Sequence, residues 1–285
     1  MVIRINKKEK YKGQFNTVDT EIKAYFLGFA YGDGYSGKAK RFGSKNSYTY
    51  KFVLASTELD KEVLVKFAQE FPFLKLGIYP SHPGVLYLEN YEKQLYEDLH
   101  AIGMPQNKMK ADKEGEFNFP DIDNNLIPHF IRGFFDADGS VWHPRRHRSR
   151  NNTRVSFGLG TKNFCLELKA VLDAVDIPFR YIKRDKKCSN GKYYTSHELL
   201  SSSRILSNKF AEYIYKDATI FLQRKMEKFQ VYEMSEKQKK SLTFPLCSCG
   251  SRMTSNGTRN GKQRLKCKSC NKHISVLLPP AEETL

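Results

Sequence analysis

Two aspartates, Asp33 and Asp138, are the residues of this sequence whose type and spacing best suit a metal-dependent reaction. Each stands next to last in an apolar run and is followed by glycine, in Phe26–Gly34 and again in Ile131–Gly139. If the two runs pack together, the carboxylates come side by side and repel each other unless a cation lies between them. Hard oxygen ligands of this kind suit Mg²⁺. The sequence therefore predicts a divalent-metal site made from two halves of the chain.

The runs also predict how those acids are brought together. Small residues recur four positions apart, Gly28 and Gly32 in the first run and Gly133 and Ala137 in the second. Residues four apart share one face of a helix, and small side chains there let two helices approach closely. The glycine after each acid is a helix-stop signal. We therefore expect two helices that pack on their small faces and end side by side.

These runs resemble the two motifs of LAGLIDADG homing endonucleases, in the arrangement that carries both motifs on one chain. The flanks agree, because residues 19–28 lead into the first motif and Ile220–Phe229 resembles the usual end of the second repeat. The likeness covers about residues 15–232, and two matches about a hundred residues apart are far more specific than one. The first copy departs from the family at Tyr31, where an earlier acid is often found.

The resemblance implies an α+β fold of two pseudo-symmetric αββαββα repeats, whose antiparallel sheets form a saddle over DNA. It also implies that the main-chain carbonyls of Gly32 and Ala137 join the carboxylates of Asp33 and Asp138 around the divalent ion. That ion would be Mg²⁺ in function, with Mn²⁺ or Ca²⁺ in crystals.

A cation near the reacting phosphate is also expected, because it stabilises negative charge or orients water. By position in each repeat, Lys108 and Lys225 resemble the active-site lysines of the family, and Lys110 and Arg224 are the nearest alternatives. Exposed lysines are common in a basic chain, so solvation without a catalytic role stays open for each of them.

Periodicity and turn residues place the other elements. Helices are predicted near residues 20–33, 58–70, 91–102, 126–138, 163–175, 204–215 and 219–233, with Asp19 as the first N-cap. We divide the chain into a basic N-terminal arm at 1–17, repeat one at 18–118, repeat two at 119–234, a linker at 235–243, a zinc ribbon at 244–278 and a tail at 279–285.

The C-terminal unit contains two close pairs of cysteines. Cys247 and Cys249 are followed, after a hairpin-length insert, by Cys267 and Cys270. Four cysteines in this order predict a Zn²⁺ site, for which His273 could replace one sulfur. The segment is similar to the zinc ribbons of insertion-sequence transposases, but its first pair is Cys-x-Cys where Cys-x-x-Cys is usual.

Composition favours a nucleic-acid partner. The 285 residues have a formal net charge of +17, and the sequence pI is about 9.5. Such an imbalance favours a polyanion, and neither a basic amphipathic helix nor a membrane-spanning apolar run stands out. Without a signal-like N terminus, we expect an intracellular, cytoplasmic protein of bacterial or phage-like origin.

Basic and aromatic side chains on the predicted strands could contact DNA, since a strand pair can enter the major groove. The candidates are Lys38, Lys40, Arg41, Lys45, Tyr48, Tyr50 and Lys51 in repeat one, Arg145, Arg146, Arg148, Arg150, Arg154, Arg180, Lys183, Arg184 and Lys186 in repeat two, and Arg259, Lys262 and Arg264 in the ribbon. For any one of them, phosphate contact or plain solvation is as good an interpretation as base contact. Two different half-sheets on one chain favour an asymmetric target and a monomer.

The function expected from these observations is site-specific hydrolysis of both DNA strands with staggered ends, as in intron homing. The chain begins with Met and lacks the terminal residues of an intein, so a free-standing enzyme is expected. Two alternatives stay open, an RNA maturase that assists intron splicing and a DNA-binding regulator without catalysis. Both commonly have eroded acids, whereas here both acids are intact.

Overall fold

A computed structural model describes residues 9–43, 47–79, 81–142, 153–187, 191, 193–229, 244–251, 253–259 and 262–277. The helices are α1 Glu21–Asp33, α2 Lys61–Glu70, α3 Lys93–Ala101, α4 Lys108–Glu114, α5 Ile127–Asp138, α6 Lys162–Ala174, α7 Arg204–Tyr215 and α8 Gln223–Met226. The strands are β1 Gly34–Lys40, β2 Tyr48–Thr57, β3 Lys75–Ile78, β4 Val85–Asn90, β5 Gly139–Trp142, β6 Arg154–Leu159, β7 Arg180–Lys187, β8 Tyr193–Ser201, β9 Thr254–Arg259, β10 Lys262–Lys266 and β11 His273–Leu277.

The order of elements repeats, and so does the topology of the sheets. The first four strands form an antiparallel sheet in the order β1-β2-β4-β3, and the next four form one in the order β5-β6-β8-β7. Each sheet is preceded by a motif helix and completed by helices that follow its last strand. The predicted α+β class and the repeated αββαββα order are therefore confirmed.

Several predicted boundaries need correction. The N-cap of α1 is Thr20, whose hydroxyl accepts a hydrogen bond from the Lys23 N–H, whereas Asp19 forms an ion pair with the Lys23 side chain. The last predicted helix, at 219–233, is a single turn at Gln223–Met226 within the described residues. Helix α4 was not predicted, because three lysines in seven residues give it no apolar stripe.

The core is continuous across both repeats. One cluster of buried side chains includes Phe26 and Phe67 from repeat one and Phe135 and Phe210 from repeat two. Part of the predicted N-terminal arm belongs to it: residues 9–17 contain no helix or strand, but Tyr11 and Phe15 are buried there. The division into domains stays a prediction.

The C-terminal unit has its own small sheet, in the order β11-β10-β9, over a second cluster formed around Met253 and Leu265. Across the part of the chain that the structure describes, no helix combines the length and the apolar character needed to cross a membrane.

Candidate active site

Helices α1 and α5 pack backbone to backbone, as their small residues predict. A methyl group added at Gly28 would lie 2.0 Å from the carbonyl oxygen of Phe130, and one added at Gly133 would lie 2.0 Å from that of Tyr25. One turn further on, a methyl group at Gly32 would lie 2.4 Å from the Cβ of Ala137. No other residue type fits at these points without moving a helix.

This contact brings the two acids together. The added methyl group at Gly32 would also lie 3.3 Å from Oδ2 of Asp138, so Asp138 reaches the residue next to Asp33. Burial, and after it the charge of Asp138, raise the pKa of Asp33 to about 6. Burial also raises the pKa of Asp138. Both residues still reach solvent, so the pair forms an accessible acidic site.

The glycines after the acids cap their helices as predicted, since the N–H of Gly34 donates to the carbonyl oxygen of Ala30 and that of Gly139 to the carbonyl oxygen of Phe135. A left-handed backbone is not the reason that glycine is found there. Gly34 and Gly139 have extended backbones, with φ of −82° and −77°, which any residue can adopt. A methyl group at Gly34 would lie 2.5 Å from the carbonyl oxygen of Ala30, and one at Gly139 would lie 2.5 Å from that of Phe135. Glycine is thus needed because each strand leaves directly against the last turn of its helix.

A lysine closes the C-terminal end of each motif helix. Nζ of Lys108 donates to the carbonyl oxygens of Gly32 at 2.6 Å and Ala30 at 3.2 Å. Lys108 is the first residue of α4, and the side chain of Asn107 caps that helix by accepting a hydrogen bond from the N–H of Lys110. Burial lowers the pKa of Lys108 to about 8, against the opposing effects of Asp138 and Asp33.

Lys225 makes the equivalent contact in repeat two, and more fully. Its Nζ donates to the carbonyl oxygens of Phe135, Asp136 and Gly139 at 2.7 Å each and lies 3.5 Å from that of Ala137. The residue is 5% exposed. Burial lowers the pKa of Lys225 to about 8. A cation at the C-terminus of a helix interacts favourably with the negative end of the helix dipole, which stabilises both lysine contacts.

Lys110 and Arg224, the alternatives to these two lysines, pair with carboxylates of other elements or of their own helix. Lys110 is exposed and lies 3.8 Å from the Glu114 carboxylate. Arg224 binds Asp60 of repeat one, with Nε to Oδ1 at 2.6 Å and Nη2 to Oδ2 at 2.9 Å. Arg224 therefore links the two repeats, whereas Lys108 and Lys225 bind the carbonyl oxygens at the ends of the motif helices. Their catalytic role stays a prediction.

The sequence did not reveal how the lysines are positioned. Asp136, two residues before the motif acid of α5, is buried and accepts a hydrogen bond from the N–H of Leu222 at 2.8 Å. Leu222 is the N-cap of α8, which carries Lys225. At the equivalent place in α1, Tyr31 donates from its hydroxyl to the carbonyl oxygen of Ile102, ahead of α4. The available signal in the sequence was that Asp136 is an acidic residue inside an otherwise apolar run.

A second buried contact, also missed, joins the repeats. Arg132 is fully buried within α5, and its Nη2 lies 2.5 Å from Oε1 of Glu21 in α1. Its other nitrogens donate to the carbonyl oxygens of Ile214 and Ile220. A buried charge requires such pairing, so an arginine in the middle of an apolar motif was the available signal.

The predicted DNA-contacting residues of repeat one lie on both faces of its sheet. We call the face that carries the core residues the inner face, and the opposite one the outer face; side chains alternate between them. Lys51 is on the outer face. By register the inner face carries Lys38, Lys40, Tyr48 and Tyr50.

On that inner face, Nζ of Lys38 lies 5.7 Å from the ring centroid of Tyr48, and the ring of Tyr50 packs on Tyr96 of α3. Arg41 follows β1 in a loop, and Lys45 lies outside the described residues. DNA contact by any of these side chains stays a prediction.

In repeat two the arginines share one face. Arg154, Arg180 and Arg184 lie on the outer face, opposite the core residues Val155 and Phe157. Lys183 is on the other side of β7, opposite His197. The remaining candidates, Arg145, Arg146, Arg148, Arg150 and the side chain of Lys186, lie outside the described residues. In the ribbon, Arg259 and Lys262 are exposed at the turn between β9 and β10, and Arg264 is half-buried.

The four predicted cysteines meet. The ligand atoms of Cys247, Cys249, Cys267 and Cys270 all lie within 4.8 Å of one another, with Sγ–Sγ distances of 3.4 Å between Cys247 and Cys270 and 3.5 Å between Cys249 and Cys267. Four sulfurs held tetrahedrally at about 2.3 Å from Zn²⁺ would be about 3.8 Å apart, so the group fits that ion. His273 is not part of this group.

The two turns that carry the cysteines are built alike despite their different lengths. The N–H of Cys247 donates to the carbonyl oxygen of Ser251, and that of Cys267 donates to Lys272. A residue with positive φ follows the second cysteine of each pair, Gly250 at +80° and Asn271 at +61°. The shorter first pair thus forms the same kind of turn with one residue fewer.

A hydrogen bond from the backbone N–H of Ser251 lowers the pKa of Cys249 to about 6. A thiolate is the form of cysteine that binds metal, so this hydrogen bond favours the ligand state of Cys249.

A model of a known protein family matches part of the second repeat. Residues 126–215 match the model of a family described as a LAGLIDADG-like domain. The match begins one residue before α5 and ends with α7, and it covers the motif acid Asp138. The resemblance expected from the sequence is confirmed for this part of the chain.

Two comparisons found individual proteins that are similar to this chain. The chain is 27% identical over 158 residues to a glutamine–fructose-6-phosphate aminotransferase (isomerizing) of Methanocaldococcus jannaschii. That stretch is 54% of this chain and only 14% of the length of the aminotransferase.

Among solved structures, the LAGLIDADG meganuclease I-AabMI, bound to uncleaved DNA, is 15% identical with a TM-score of 0.46, over 72% of this chain and 86% of that one. Mesophilic variants of the homing endonuclease I-DmoI are 20% identical with a TM-score of 0.45, over 68% of this chain and 94% of theirs.

Proposed function

We propose that this protein is a divalent-metal-dependent endonuclease that cuts both strands of a long, asymmetric DNA site and leaves staggered ends. One observation carries the proposal: two carboxylates, Asp33 and Asp138, meet at the ends of paired helices, each helix being closed by a lysine. One acid and one cation from each repeat suit a duplex, because each strand then has its own half-site.

Asp33 and Asp138, with the main-chain carbonyls of Gly32 and Ala137, would hold Mg²⁺, and their donor set of hard oxygens fits that ion. The ion when bound would neutralise phosphate charge and lower the pKa of a water molecule. The raised pKa of Asp33 supports the assignment, because the neighbouring negative charge that contributes to it is what a cation offsets.

Lys108 and Lys225 supply the positive charge that belongs to the protein itself. With pKa values of about 8, both ammonium groups are mostly protonated at neutral pH. Each is held by helix-end carbonyls and is therefore placed before substrate arrives, which is the condition for electrostatic stabilisation of a developing charge. Lys108 is less enclosed than Lys225, so we assign Lys108 the closer approach to phosphate.

Selection of cleaved sites from a random DNA library with Mg²⁺, followed by cleavage of the selected site in a plasmid, tests the proposal. Asp33→Asn and Asp138→Asn are each expected to lower the rate of double-strand cleavage by about 10³-fold or more, because the metal contributes several kcal/mol. Binding of the selected site should change little. Asp121→Asn, at an exposed acid in the segment between α4 and α5, is the matched control and should cut normally.

Either motif variant cutting both strands at the wild-type rate would refute the metal-site assignment. Intact protein that binds the DNA tightly but does not cut it with Mg²⁺ favours the DNA-binding regulator. Tight binding to intron RNA without DNA cleavage favours the maturase. The basic charge alone does not separate these three functions.

We further propose that Cys247, Cys249, Cys267 and Cys270 hold one Zn²⁺ and that the ribbon adds a DNA contact through its basic turn. The close approach of the four sulfurs supports this. Elemental analysis of protein purified without chelator should find one zinc per chain, and Cys267→Ser should remove it while leaving the fold of the two repeats intact. The control is Cys165→Ser, outside the four-cysteine group. Absence of zinc in the wild type would refute the assignment.

A further inference from the structure

The outer faces of the two sheets differ in chemistry although the sheets share one topology. Both inner faces are covered by helices and belong to the core. The outer faces carry the side chains that a duplex would meet if it lies on the sheets. Because register fixes which residues these are, the two faces can be compared position by position.

The outer face of the first sheet is mainly apolar at its centre. Its two central strands present Val53 and Ala55 on β2 and Val85 and Tyr87 on β4, all half-buried. Tyr35 on β1 is 46% exposed on the same face. Lys51 is the basic residue near this centre among the described residues.

The other charges on the first face cancel. Nζ of Lys75 lies 3.2 Å from Oε1 of Glu89, its neighbour across β3 and β4. This face therefore offers methyl groups and two aromatic rings rather than fixed guanidinium groups.

The outer face of the second sheet is distinguished by its arginines, Arg154, Arg180 and Arg184. Three apolar residues, Trp142, Ile182 and Leu200, lie on the same face. Arg184 has a guanidinium group that is already oriented and is still accessible to a nucleic-acid base. Its Nε and Nη2 donate to the same oxygen of Glu198, at 3.0 and 2.8 Å. The side chain is nevertheless 51% exposed. The carboxylate thus fixes the plane of the guanidinium group while leaving Nη1 for a partner, which lowers the entropy lost on binding.

There is also room beside Arg184. A shallow concavity of about 540 Å³ is lined by Gly158, Ser196 and Arg184. A methyl group at Gly158 would meet no atom within 4 Å. Arg180 lies on the same strand and face as Arg184, two side chains away along the outer face. Beside Arg184 the second sheet therefore has space as well as a donor for the edge of a base. Arg180 lies next to the ribbon and lines a cavity with Gly250 and Thr254.

The two chemistries match different base pairs. In the major groove guanine presents O6 and N7, which arginine binds with two hydrogen bonds, whereas thymine presents a methyl group that apolar side chains contact. We propose that the target of this protein is asymmetric in composition: the half-site on the first repeat is rich in A·T pairs read through thymine methyl groups, and the half-site on the second repeat contains guanines read by Arg180 and Arg184. This inference rests on the proposed function, since it requires DNA to lie on the outer faces.

Binding selection with the full-length chain tests it independently of cleavage. The protein carries Asp33→Asn, so that bound DNA is kept intact, and the probe is a random duplex library. The expected consensus has guanines fixed in one half and A·T pairs in the other. In that background, Arg184→Ala should lower affinity for the consensus about 10- to 100-fold and abolish the preference for guanine at one position.

Lys183→Ala is the matched control, because Lys183 is the preceding residue of β7 and lies on the inner face. It should weaken all sites by less than about threefold and leave every base preference unchanged. For the other half, replacing thymine with deoxyuridine removes only the methyl group. That replacement should weaken binding several-fold in the half-site unaffected by Arg184→Ala and have no effect in the other.

The outcomes separate this inference from the function on which it depends. A consensus with equal guanine content in both halves, a guanine preference unchanged by Arg184→Ala, or equal effects of deoxyuridine in both halves would overturn the compositional asymmetry while leaving DNA binding in place. Failure to enrich any duplex would overturn DNA binding itself, and the inference with it.

Discussion

The two motif helices are alike at the site and different directly behind it. Both α1 and α5 have small residues at the contact, an acid at the end and a lysine on the last carbonyls. Two residues before the acid, however, α1 has Tyr31 and α5 has Asp136. Tyr31 uses a hydroxyl to bind a carbonyl oxygen, and Asp136 uses a carboxylate to bind an N–H.

Tyr31 and Asp136 have the same structural role but opposite hydrogen-bonding chemistry, because Tyr31 is a donor and Asp136 is an acceptor. Each ties the motif helix to the segment that leads into the lysine-bearing helix, α4 in one repeat and α8 in the other. The difference indicates that each repeat must hold its lysine in position. The side chain that does so can be either a hydrogen-bond donor or an acceptor. Three predictions examine this comparison, from the largest expected effect to the smallest.

The largest effect is expected where the two helices are most alike. Gly28→Ala and Gly133→Ala should each lower the free energy of unfolding by about 3 kcal/mol or more, because each added methyl group would meet a carbonyl oxygen of the other helix. Urea denaturation measures the change. Gly158→Ala, where a methyl group meets nothing within 4 Å, should be nearly neutral. Tolerance of one substitution but not the other would show that the helix contact is not symmetric.

The next prediction concerns the position where the helices differ. Asp136→Ala should cost about 3 kcal/mol, because it leaves the Leu222 N–H and the hydroxyl of Tyr25 without their buried acceptor. Tyr31→Phe removes one longer hydrogen bond, of 3.3 Å, and should cost about 1 kcal/mol. Unfolding measurements on both variants, with Asp121→Ala as the surface control, decide the point. Equal losses of stability would contradict the expectation that the buried hydrogen bonds of Asp136 contribute more than the single hydrogen bond of Tyr31.

The smallest effect is a gain of stability that depends on pH. Burial and the charge of Asp138 raise the pKa of Asp33 from 3.8 to about 6. Between about pH 4 and pH 6 the folded state therefore binds more protons than the unfolded state, and stability falls as pH rises through that window. Asp33→Asn lacks this penalty and should be more stable than the wild type by about 1 kcal/mol at pH 7.5, after allowance for the exposure of the carboxylate.

Thermal unfolding at two pH values measures this gain. The advantage of Asp33→Asn should vanish below about pH 4, where the wild-type carboxyl is protonated in both states. Added Mg²⁺ should stabilise the wild type more than the variant, because only the wild type retains both carboxylates. An equal advantage at pH 4 and pH 7.5 would show that the substitution acts through packing and not through charge.

The sequence predicted the parts of the site that depend on local spacing. The small residues, the motif acids and the four cysteines all have fixed separations that imply a geometry, and the structure brings each set together. The faces of the first sheet were predictable too, because Tyr48 and Tyr50 share their strand parity with the buried Phe52.

What the sequence could not predict depends on tertiary contacts. Helix α4 has no apolar stripe, and its order comes from the Asn107 cap and from Asp112, which accepts hydrogen bonds from the N–H groups of Lys162 and Phe164 in repeat two. Residues more than 50 positions away therefore decide where Lys108 lies. The arginine Arg224 resembled a site residue in sequence, but Asp60 of the other repeat holds it instead.

The guanidinium group of Arg132 has a consequence for anyone who wishes to recombine halves of this protein. It is buried where the two repeats meet: its acidic partner, Glu21, and the ring of Tyr25 belong to repeat one, whereas the carbonyl oxygens that it binds belong to repeat two. Severed from repeat one, the second half would lose the counter-ion of this arginine and the aromatic ring that covers it, which is unfavourable. Modularity here is therefore only apparent: a transplanted half must bring, or find in its new host, a carboxylate at the position of Glu21.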